Sequence, residues 1–356
     1  MLEGEKLRLI DEWQEGPKLW DAVRYAVDQA KAPGQFLLSV SSVPRREGMM
    51  HKGAGRIARL RMRPMSLYES RESSGAVSLQ DLFSQKEIAM TTESLTMEEL
   101  TGLIVRGGWP YAVTHKNIDE TLIPSQYLDA IINDDAMRKG AEIRSTSKFR
   151  TLIESLSRNE STTCSLLTIA KDLSYSANEP VSWATVNNYC EILENMYFID
   201  NQEPFIPRAR SSIRFKKQVK RHLADPSLAA ASLKLTPSRL ANDRQTLGFL
   251  FEALAERDLR IYANCLGGDL YHYQDYSNRE IDAVVCLDDG SWGGFEIKLS
   301  RNSEDEAAAS LLRVKKALRE AEGSEPAFLC VLCGFSGIAY RRQDGVYSVP
   351  LNTLKP

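Results

Sequence analysis

The sequence predicts an α/β protein of several domains, and three observations support that prediction. The chain can bury a substantial core, because it has 356 residues, 43% of them hydrophobic and 26% charged. Apolar strands alternate with an amphipathic helix near the N-terminus, and the last third has the order helix, three strands, helix, strand. We expect a partial α/β core in residues 1–70, a helical lid or linker in 71–160, a winged-helix-like domain in 161–235 and a second α/β domain in 236–356.

Composition narrows the classes of function. The net charge of −3 argues against a chain that coats nucleic acid along its whole length, although a local basic patch could bind DNA. No apolar run reaches the roughly 20 residues that span a bilayer, and the N-terminus has no apolar signal core, so we expect a cytoplasmic protein with no membrane partner. The six cysteines are scattered and the four histidines lie at no ligand spacing, which indicates free thiols and no structural zinc site.

Two adjacent acids end the first predicted strand. The run "KLRLI" is followed by Asp11 and Glu12, and the next strand, "FLLSVS", ends near Ser39 and Ser41. Strand ends of a parallel sheet meet at the edge where α/β enzymes bind ligands. For phosphoryl transfer, Asp11 would hold Mg²⁺, Glu12 would orient the attacking water, and Ser39 or Ser41 would contact the γ-phosphate. Arg56, in "GAGR", would supply positive charge to the transition state of this subunit or of a neighbour.

The middle of the chain is expected to be mainly helical. Residues from about 70 to 160 have the pattern of helices joined by polar loops, and "SLLTIAKDL" and "WATVNNYCEILENMYFI" predict two further helices. A basic segment follows them, as in a winged helix-turn-helix with a β-hairpin wing. Its candidate nucleic-acid contacts are Arg214, Lys216, Lys217, Lys220 and Arg221. The alternative is a helical packing module with a solvated charged hairpin.

The last predicted domain contains two carboxylates and a lysine that a hairpin would bring together. In strands, Glu280 and Asp282 share one face, as do Glu296 and Lys298, and the turn "DDG" joins the two strands. The opposite face, with Ile281, Ala283, Val285, Phe295, Ile297 and Leu299, should be buried.

This arrangement is what metal-dependent phosphodiester cleavage needs. Asp282 and Glu296, with Glu252 of the preceding helix, would hold Mg²⁺ or Mn²⁺, and Lys298 would steady the activated water and the phosphate charge. The pattern is similar to that of PD-(D/E)xK nucleases, which predicts a restriction-nuclease-like fold. The alternative is a solvated face at a sheet edge.

Four segments resemble bacterial AAA-type ATP-binding proteins whose C-terminal half is domain of unknown function 4143. They are "LRLIDEWQEGPKLWDAVRYAVDQ", "GAGRIARLRMRPMSLYE", "RGGWP" and "KRHLADPSLAAASL". The resemblance covers essentially the whole chain. It implies an AAA-like ATPase core that uses ATP and Mg²⁺, a winged-helix segment and a nuclease-like C-terminal domain, and it suggests a homo-oligomer in which a neighbour supplies an arginine.

The chain departs from that family at the phosphate-binding loop. Members have a strand and a GxxxxGK[ST] loop upstream of the Asp-Glu strand, whereas this chain contains no Gly-Lys dipeptide, and the family's strand-end "TGS" stands here as Ser39-Val40-Ser41. Because that loop and its lysine bind the β- and γ-phosphates, we expect Mg²⁺–ATP affinity to be largely lost. We expect Met1 to be an internal start in a shortened gene, with a functional reduced paralogue as the alternative.

Three functions therefore compete. The first expectation is a shortened AAA-type ATP-binding protein that does not hydrolyse ATP alone and has a DNA-directed C-terminal domain. The second is a Mg²⁺- or Mn²⁺-dependent nuclease that uses the C-terminal acids and lysine. The third is a non-enzymatic nucleic-acid-binding or scaffolding protein that uses the winged helix alone.

Overall fold

The computed structural model describes residues 7–41, 55–115, 117–135, 145–207 and 216–356. The chain divides into two compact units. The smaller comprises Met1–Met62 and Glu191–Phe198, and the larger comprises Arg63–Cys190 and Ile199–Pro356. None of the described helices contains an apolar stretch long enough to cross a membrane.

The smaller unit contains a strand, a helix and a second strand that pairs in parallel with the first. Strand β1 (Arg8–Ile10) pairs with β2 (Phe36–Leu38), and helix α1 (Lys18–Ala30) connects them. The parallel pair confirms the predicted order of elements. Leu9 and Leu37 face each other in the pair, and they remain 63% and 55% exposed on one of its faces. Among the described residues, no layer covers that face of the pair.

The larger unit is built from helices around one extended sheet. Its helices, in chain order, are α2 (Leu79–Phe83), α3 (Met97–Arg106), α4 (Pro110–Thr114), α5 (Leu122–Ala130), α6 (Thr146–Arg158), α7 (Leu166–Ala177), α8 (Trp183–Asn195, whose last residues belong to the smaller unit), α9 (Pro226–Ser232), α10 (Pro237–Asn242), α11 (Arg244–Cys265) and α12 (Glu304–Glu322). Helices α7 and α8 occupy the two segments for which helices are predicted.

The strands of the larger unit form a mixed sheet of eight strands and a separate pair. The strands are β3 (Val77–Ser78), β4 (Ala89–Thr91), β5 (Glu203–Pro204), β6 (Gly268–Gln274), β7 (Glu280–Leu287), β8 (Trp292–Ser300), β9 (Phe328–Phe335), β10 (Ile338–Arg341), β11 (Tyr347–Pro350) and β12 (Leu354–Lys355). The order in the sheet is β4-β10-β11-β9-β8-β7-β6-β5, and β12 pairs with β3.

Two of these strands correct the expectation for residues 70–160. That region is helical in large part, yet it also supplies β3 and β4, and β4 adds an antiparallel edge strand beside β10. Both strands are too short to show a period of two, and their pairing partners lie more than 200 residues away, so the local pattern does not reveal them.

The C-terminal order of elements is as predicted. Helix α11 is followed by the antiparallel strands β6, β7 and β8, then α12 and the parallel strand β9. Gly290 adopts φ +85° in the turn between β7 and β8, a conformation that glycine adopts without strain. Ala308 and Leu311 of α12 belong to the same buried cluster as Val331 of β9.

Strand β7 changes phase at a β-bulge. Tyr271 of β6 faces Val284, but Tyr273 faces Ile281, so Asp282 and Ala283 together lie opposite a single residue of β6. The core cluster accordingly contains Ile281 and Val284 but neither Ala283 nor Val285. The prediction that Ile281, Ala283 and Val285 share one face is therefore wrong, although all three are buried. Bulges bend a strand and re-aim side chains beside functional sites.

Candidate functional site

The hairpin of β7 and β8 brings Asp282, Glu296 and Lys298 together. The Lys298 ammonium lies 2.9 Å from Glu296 Oε1 and 3.7 Å from Asp282 Oδ2. Asp282 Oδ2 also accepts a 2.8 Å hydrogen bond from the backbone N–H of Ile297. Regular β7–β8 pairing ends at Ala283 and Phe295, and this side-chain bond links the two strands just beyond that pair. The carboxylate is thus held in place by the backbone of the facing strand.

Glu296 is the most deeply buried member of this group. It is only 5% exposed, and burial together with the charge of Asp282 raises its pKa to about 7, although Lys298 partly offsets both effects. Its Oε2 is buried without a hydrogen-bond partner. A buried carboxylate oxygen without a partner is costly, and a cation would satisfy it.

A second lysine ties the helix to the bulged strand. The Lys220 ammonium contacts Glu252, lies 2.7 Å from Glu256 Oε1 and donates a 3.2 Å hydrogen bond to the carbonyl oxygen of Asp282. Lys220 is 7% exposed, so this is a buried ion cluster and not a solvated basic side chain. The arrangement connects α11 directly to the backbone of Asp282.

Protonation in this cluster is uneven. Burial raises the pKa of Glu252 to about 8, with added repulsion from Asp282 and Glu256 that Lys220 offsets only in part. The pKa of Glu256 falls to about 2, because Lys220 and His222 outweigh the effect of its burial. Glu256 is therefore the carboxylate that keeps its charge, and Glu252 is the one that gains a proton first.

His222 joins Glu160 to the cluster. Its Nδ1 lies 2.9 Å from Glu160 Oε1 and its Nε2 lies 2.9 Å from Glu256 Oε2. Burial alone would lower the pKa of His222, but the two glutamates raise it to about 9, so the ring is an imidazolium at neutral pH.

A cavity of about 250 Å³ adjoins these groups. Asp282, Glu252 and Lys220 form part of its wall, so the cavity and the acid–lysine group share Asp282. The other side chains that line it are Ser161, Thr162, Thr163, Phe249, His272, Tyr273, Gln274, Glu280 and Ile281.

The basic residues predicted to contact nucleic acid do not all lie at the surface. Ile199 and Gln202 form antiparallel bridges with Leu223 and Lys220, so these two segments lie side by side. Lys220 is buried between two acids. Arg221 donates its Nε hydrogen to the carbonyl of Cys164 at 3.2 Å.

The remaining wing residues lie nearer the surface. Lys217 is exposed, and Lys216 is half-buried with its ammonium 3.4 Å from Asn278 Oδ1. Arg214 lies outside the described residues.

The sequence patterns do not single out Glu256, His222 or Glu160. A signal exists for the first two, because Glu252 and Glu256 are four residues apart on a helix and Lys220 and His222 are two apart on an extended segment, so each pair shares a face. Glu160 carries no such signal, since it reaches His222 across 62 residues of sequence.

The smaller unit brings together the N-terminal residues predicted for nucleotide chemistry. Ser39 Oγ donates to Asp11, and Ser41 Oγ donates to Glu12 at 3.0 Å, so both acids lie at the same edge as both serines. Arg56 forms a 3.0 Å ion pair with Asp28 of α1.

No three side chains of His, Cys, Asp or Glu among the described residues lie close enough to form a metal site by themselves. The predicted set of Glu252, Asp282 and Glu296 is therefore split: Glu252 is held by Lys220, whereas Asp282 and Glu296 share Lys298.

The fold is that of a mixed α/β protein, and two segments of the chain match known family models. Residues 97–239 match the family model described as Domain of unknown function (DUF8612). Residues 247–354 match the family model described as Domain of unknown function (DUF4143), which confirms the resemblance for the C-terminal domain. No curated protein and no solved structure matches the chain.

The buried cluster is built from both matched segments. Glu160, Lys220 and His222 belong to the first, and the acids and lysine of the sheet belong to the second. Because Lys220 joins the two, the segments share one ion cluster.

Proposed function

We propose that this protein is a divalent-cation-dependent phosphodiesterase that cleaves nucleic acid at Asp282, Glu296 and Lys298. The observation that supports the proposal most strongly is the buried Oε2 of Glu296, which has no hydrogen-bond partner although it lies beside a second carboxylate and a lysine. Two acids and a lysine in this relation could hold a divalent metal and stabilise the charge on a phosphodiester during metal-assisted hydrolysis.

The residues present fit Mg²⁺ or Mn²⁺. Magnesium commonly uses one or two carboxylates and completes its shell with water and substrate phosphate, so Asp282 and Glu296 suffice as protein ligands. The raised pKa of Glu296 reflects burial and repulsion by Asp282, which a divalent cation would relieve. When bound, the metal would polarise the phosphoryl oxygen and make a bound water more acidic. Glu252 is left out of this ligand pair because Lys220 already contacts its carboxyl group.

The chain's own groups have distinct tasks in this proposal. Lys298 remains an ammonium, because Asp282 and Glu296 raise its pKa despite its burial, and it would donate hydrogen bonds to the attacking water and to the phosphate. The backbone N–H of Ile297 fixes the orientation of the Asp282 carboxylate. Lys220 holds the bulge against α11 through the Asp282 carbonyl.

A cleavage assay tests the proposal. The full chain is incubated with plasmid and branched DNA in Mn²⁺, alongside Asp282→Asn and Lys298→Met. Matched controls are Glu306→Gln and Lys316→Met, an exposed acid and an exposed lysine of α12. We expect the wild-type chain and both controls to cleave, and each site variant to lose at least about 100-fold in rate. Equal cleavage by wild type and by both site variants would show that the activity comes from elsewhere.

A second candidate function is nucleotide binding by the smaller unit, in line with the resemblance to AAA-type ATP-binding proteins. The pairing of Asp11 with Ser39 and of Glu12 with Ser41 at one sheet edge favours it. We propose that this edge descends from a nucleotide site and that the chain alone does not hydrolyse ATP, since it has no Gly-Lys dipeptide to form the phosphate cradle. Phosphate release above background that disappears in Glu12→Gln would refute this.

A further inference from the structure

We infer that the substrate of the proposed phosphodiesterase is single-stranded nucleic acid, whose bases stack on Phe249 and Tyr276 at the cavity beside Asp282. The inference rests on the proposed function and adds the substrate class. It follows from the size of the cavity, from two aromatic side chains exposed near it and from the lysines beside them.

The cavity is too small for a duplex. At about 250 Å³ it lies below the roughly 300–1,000 Å³ of ordinary ligand pockets. A space of that size takes at most one base, and an unpaired strand can place a single base in it without first breaking base pairs. Because Asp282 is in the cavity wall, a phosphate next to that base lies beside the acid–lysine group.

Phe249 offers an aromatic face in the cavity wall. It lies on α11 three residues before Glu252, hence on the same face of the helix, and it is 36% exposed. A partly exposed phenylalanine surrounded by acids and hydroxyl groups contributes little packing energy to the fold. Every base has a π-face, so stacking on such a ring binds single strands with little dependence on sequence.

Tyr276 presents a second aromatic ring on a turn that hydrogen bonds to Asp275 hold together. The turn joins Gln274 to Glu280, which both line the cavity, and Tyr276 is 69% exposed at its tip. Asp275, almost fully buried, braces this turn. It accepts hydrogen bonds from the backbone N–H groups of Ser277 and Arg279, from Arg279 Nε and from the Tyr273 hydroxyl. The backbone that carries Tyr276 is thus braced before binding, which lowers the entropic cost of ordering the turn.

Two lysines lie beside the same turn and would contact the phosphate backbone. The N–H of Lys216 donates to the carbonyl of Gln274 at 2.9 Å, and its ammonium lies 3.4 Å from Asn278 Oδ1. Lys217 follows it and is exposed. A basic track next to aromatic platforms is the arrangement by which single strands are bound.

Binding is measured separately from cleavage, with Ca²⁺ in place of Mn²⁺. Fluorescence anisotropy compares a labelled oligothymidylate of about 15 nucleotides with the same strand annealed to its complement. We expect the wild-type chain to bind the single strand at least about tenfold more tightly. Phe249→Ala and Tyr276→Ala should each weaken that binding on the order of tenfold, the effect of losing one base–aromatic stack.

Matched controls separate stacking and charge from folding. Tyr111→Ala removes an exposed tyrosine that stacks on His115 and should leave affinity unchanged. Lys216→Ala combined with Lys217→Ala should lower the slope of log affinity against log salt by about 1.4, since each phosphate contact on a single strand contributes about 0.7. Lys315→Ala with Lys316→Ala should not change it. Circular dichroism confirms that each variant is folded.

The outcomes distinguish this inference from the proposed function. If the chain cleaves DNA in Mn²⁺ and Asp282→Asn abolishes cleavage, but duplex is bound as tightly as single strand, the substrate inference is overturned and the phosphodiesterase stands. Unchanged affinity in both aromatic variants would overturn it equally. If single strands bind as expected but no strand is cleaved, the phosphodiesterase fails and the binding site stands.

Discussion

Replacing Lys220 by methionine should be among the most destabilising single changes in the larger unit. The substitution removes an ammonium that contacts Glu252, Glu256 and the Asp282 carbonyl, all in a site where Lys220 is 7% exposed. Removing one member of a buried ion pair leaves the other charge without compensation, at a cost of about 3–5 kcal/mol. That is a large part of the total stability of about 5–15 kcal/mol typical of a protein.

The measurement is urea denaturation followed by circular dichroism at pH 7. Lys217→Met, the exposed neighbour, is the matched control and should change the free energy of unfolding by less than about 0.5 kcal/mol. Adding Glu256→Gln to Lys220→Met should recover at least about 1 kcal/mol, because Glu256 is the carboxylate that keeps its charge and that charge is then gone. If Lys220→Met costs less than about 1 kcal/mol, or the double variant recovers nothing, the assignment of Lys220 to a buried ion cluster is refuted.

Three further predictions concern other parts of the molecule. Glu296→Gln should stabilise the protein by at most about 3 kcal/mol at pH 8 and should have no such effect at pH 4. The pKa of Glu296 is about 7 in the folded protein, above its value in the unfolded chain, so the ionised side chain destabilises the fold as the pH rises through 7. Glutamine is neutral at both pH values and avoids that loss. Unfolding titrations at both pH values check this, and equal effects at both would contradict it. Gly107→Ala should lower the free energy of unfolding by at least about 2 kcal/mol, since Gly107 has φ +70° and a Cβ there would lie 2.3 Å from Ser227 Oγ. The control is Gly102→Ala, which has open space at its Cβ and should be neutral or stabilising in the same unfolding measurement. Asp11→Asn should leave the larger unit's thermal transition unchanged, because Asp11 lies in the smaller unit, and a shifted transition would contradict this prediction.

The hairpin and its acids were predictable because their signals are local. Period-two alternation and the "DDG" turn place Asp282, Glu296 and Lys298 together without information from the rest of the chain. The bulge at Asp282 was not predictable, because an extra residue in one strand is defined only by the register of its partner.

The Lys220 cluster was missed for a different reason. Its lysine has the sequence context of an exposed basic wing, and its acids lie on a helix that begins 24 residues later. Only the tertiary fold shows that the charge of Lys220 is directed inward. Charge patterns in a sequence indicate solvated faces unless a buried partner is known.

The central claim is that Asp282 and Glu296 hold a divalent cation beside Lys298, and Mn²⁺ binding measured by electron paramagnetic resonance tests it most directly. We predict that the wild-type chain binds Mn²⁺, that Asp282→Asn and Glu296→Gln each abolish binding, and that Lys298→Met retains it while losing cleavage, because the ammonium is not a ligand. Mn²⁺ binding of undiminished affinity in Asp282→Asn and Glu296→Gln, or none in the wild type, would contradict the claim.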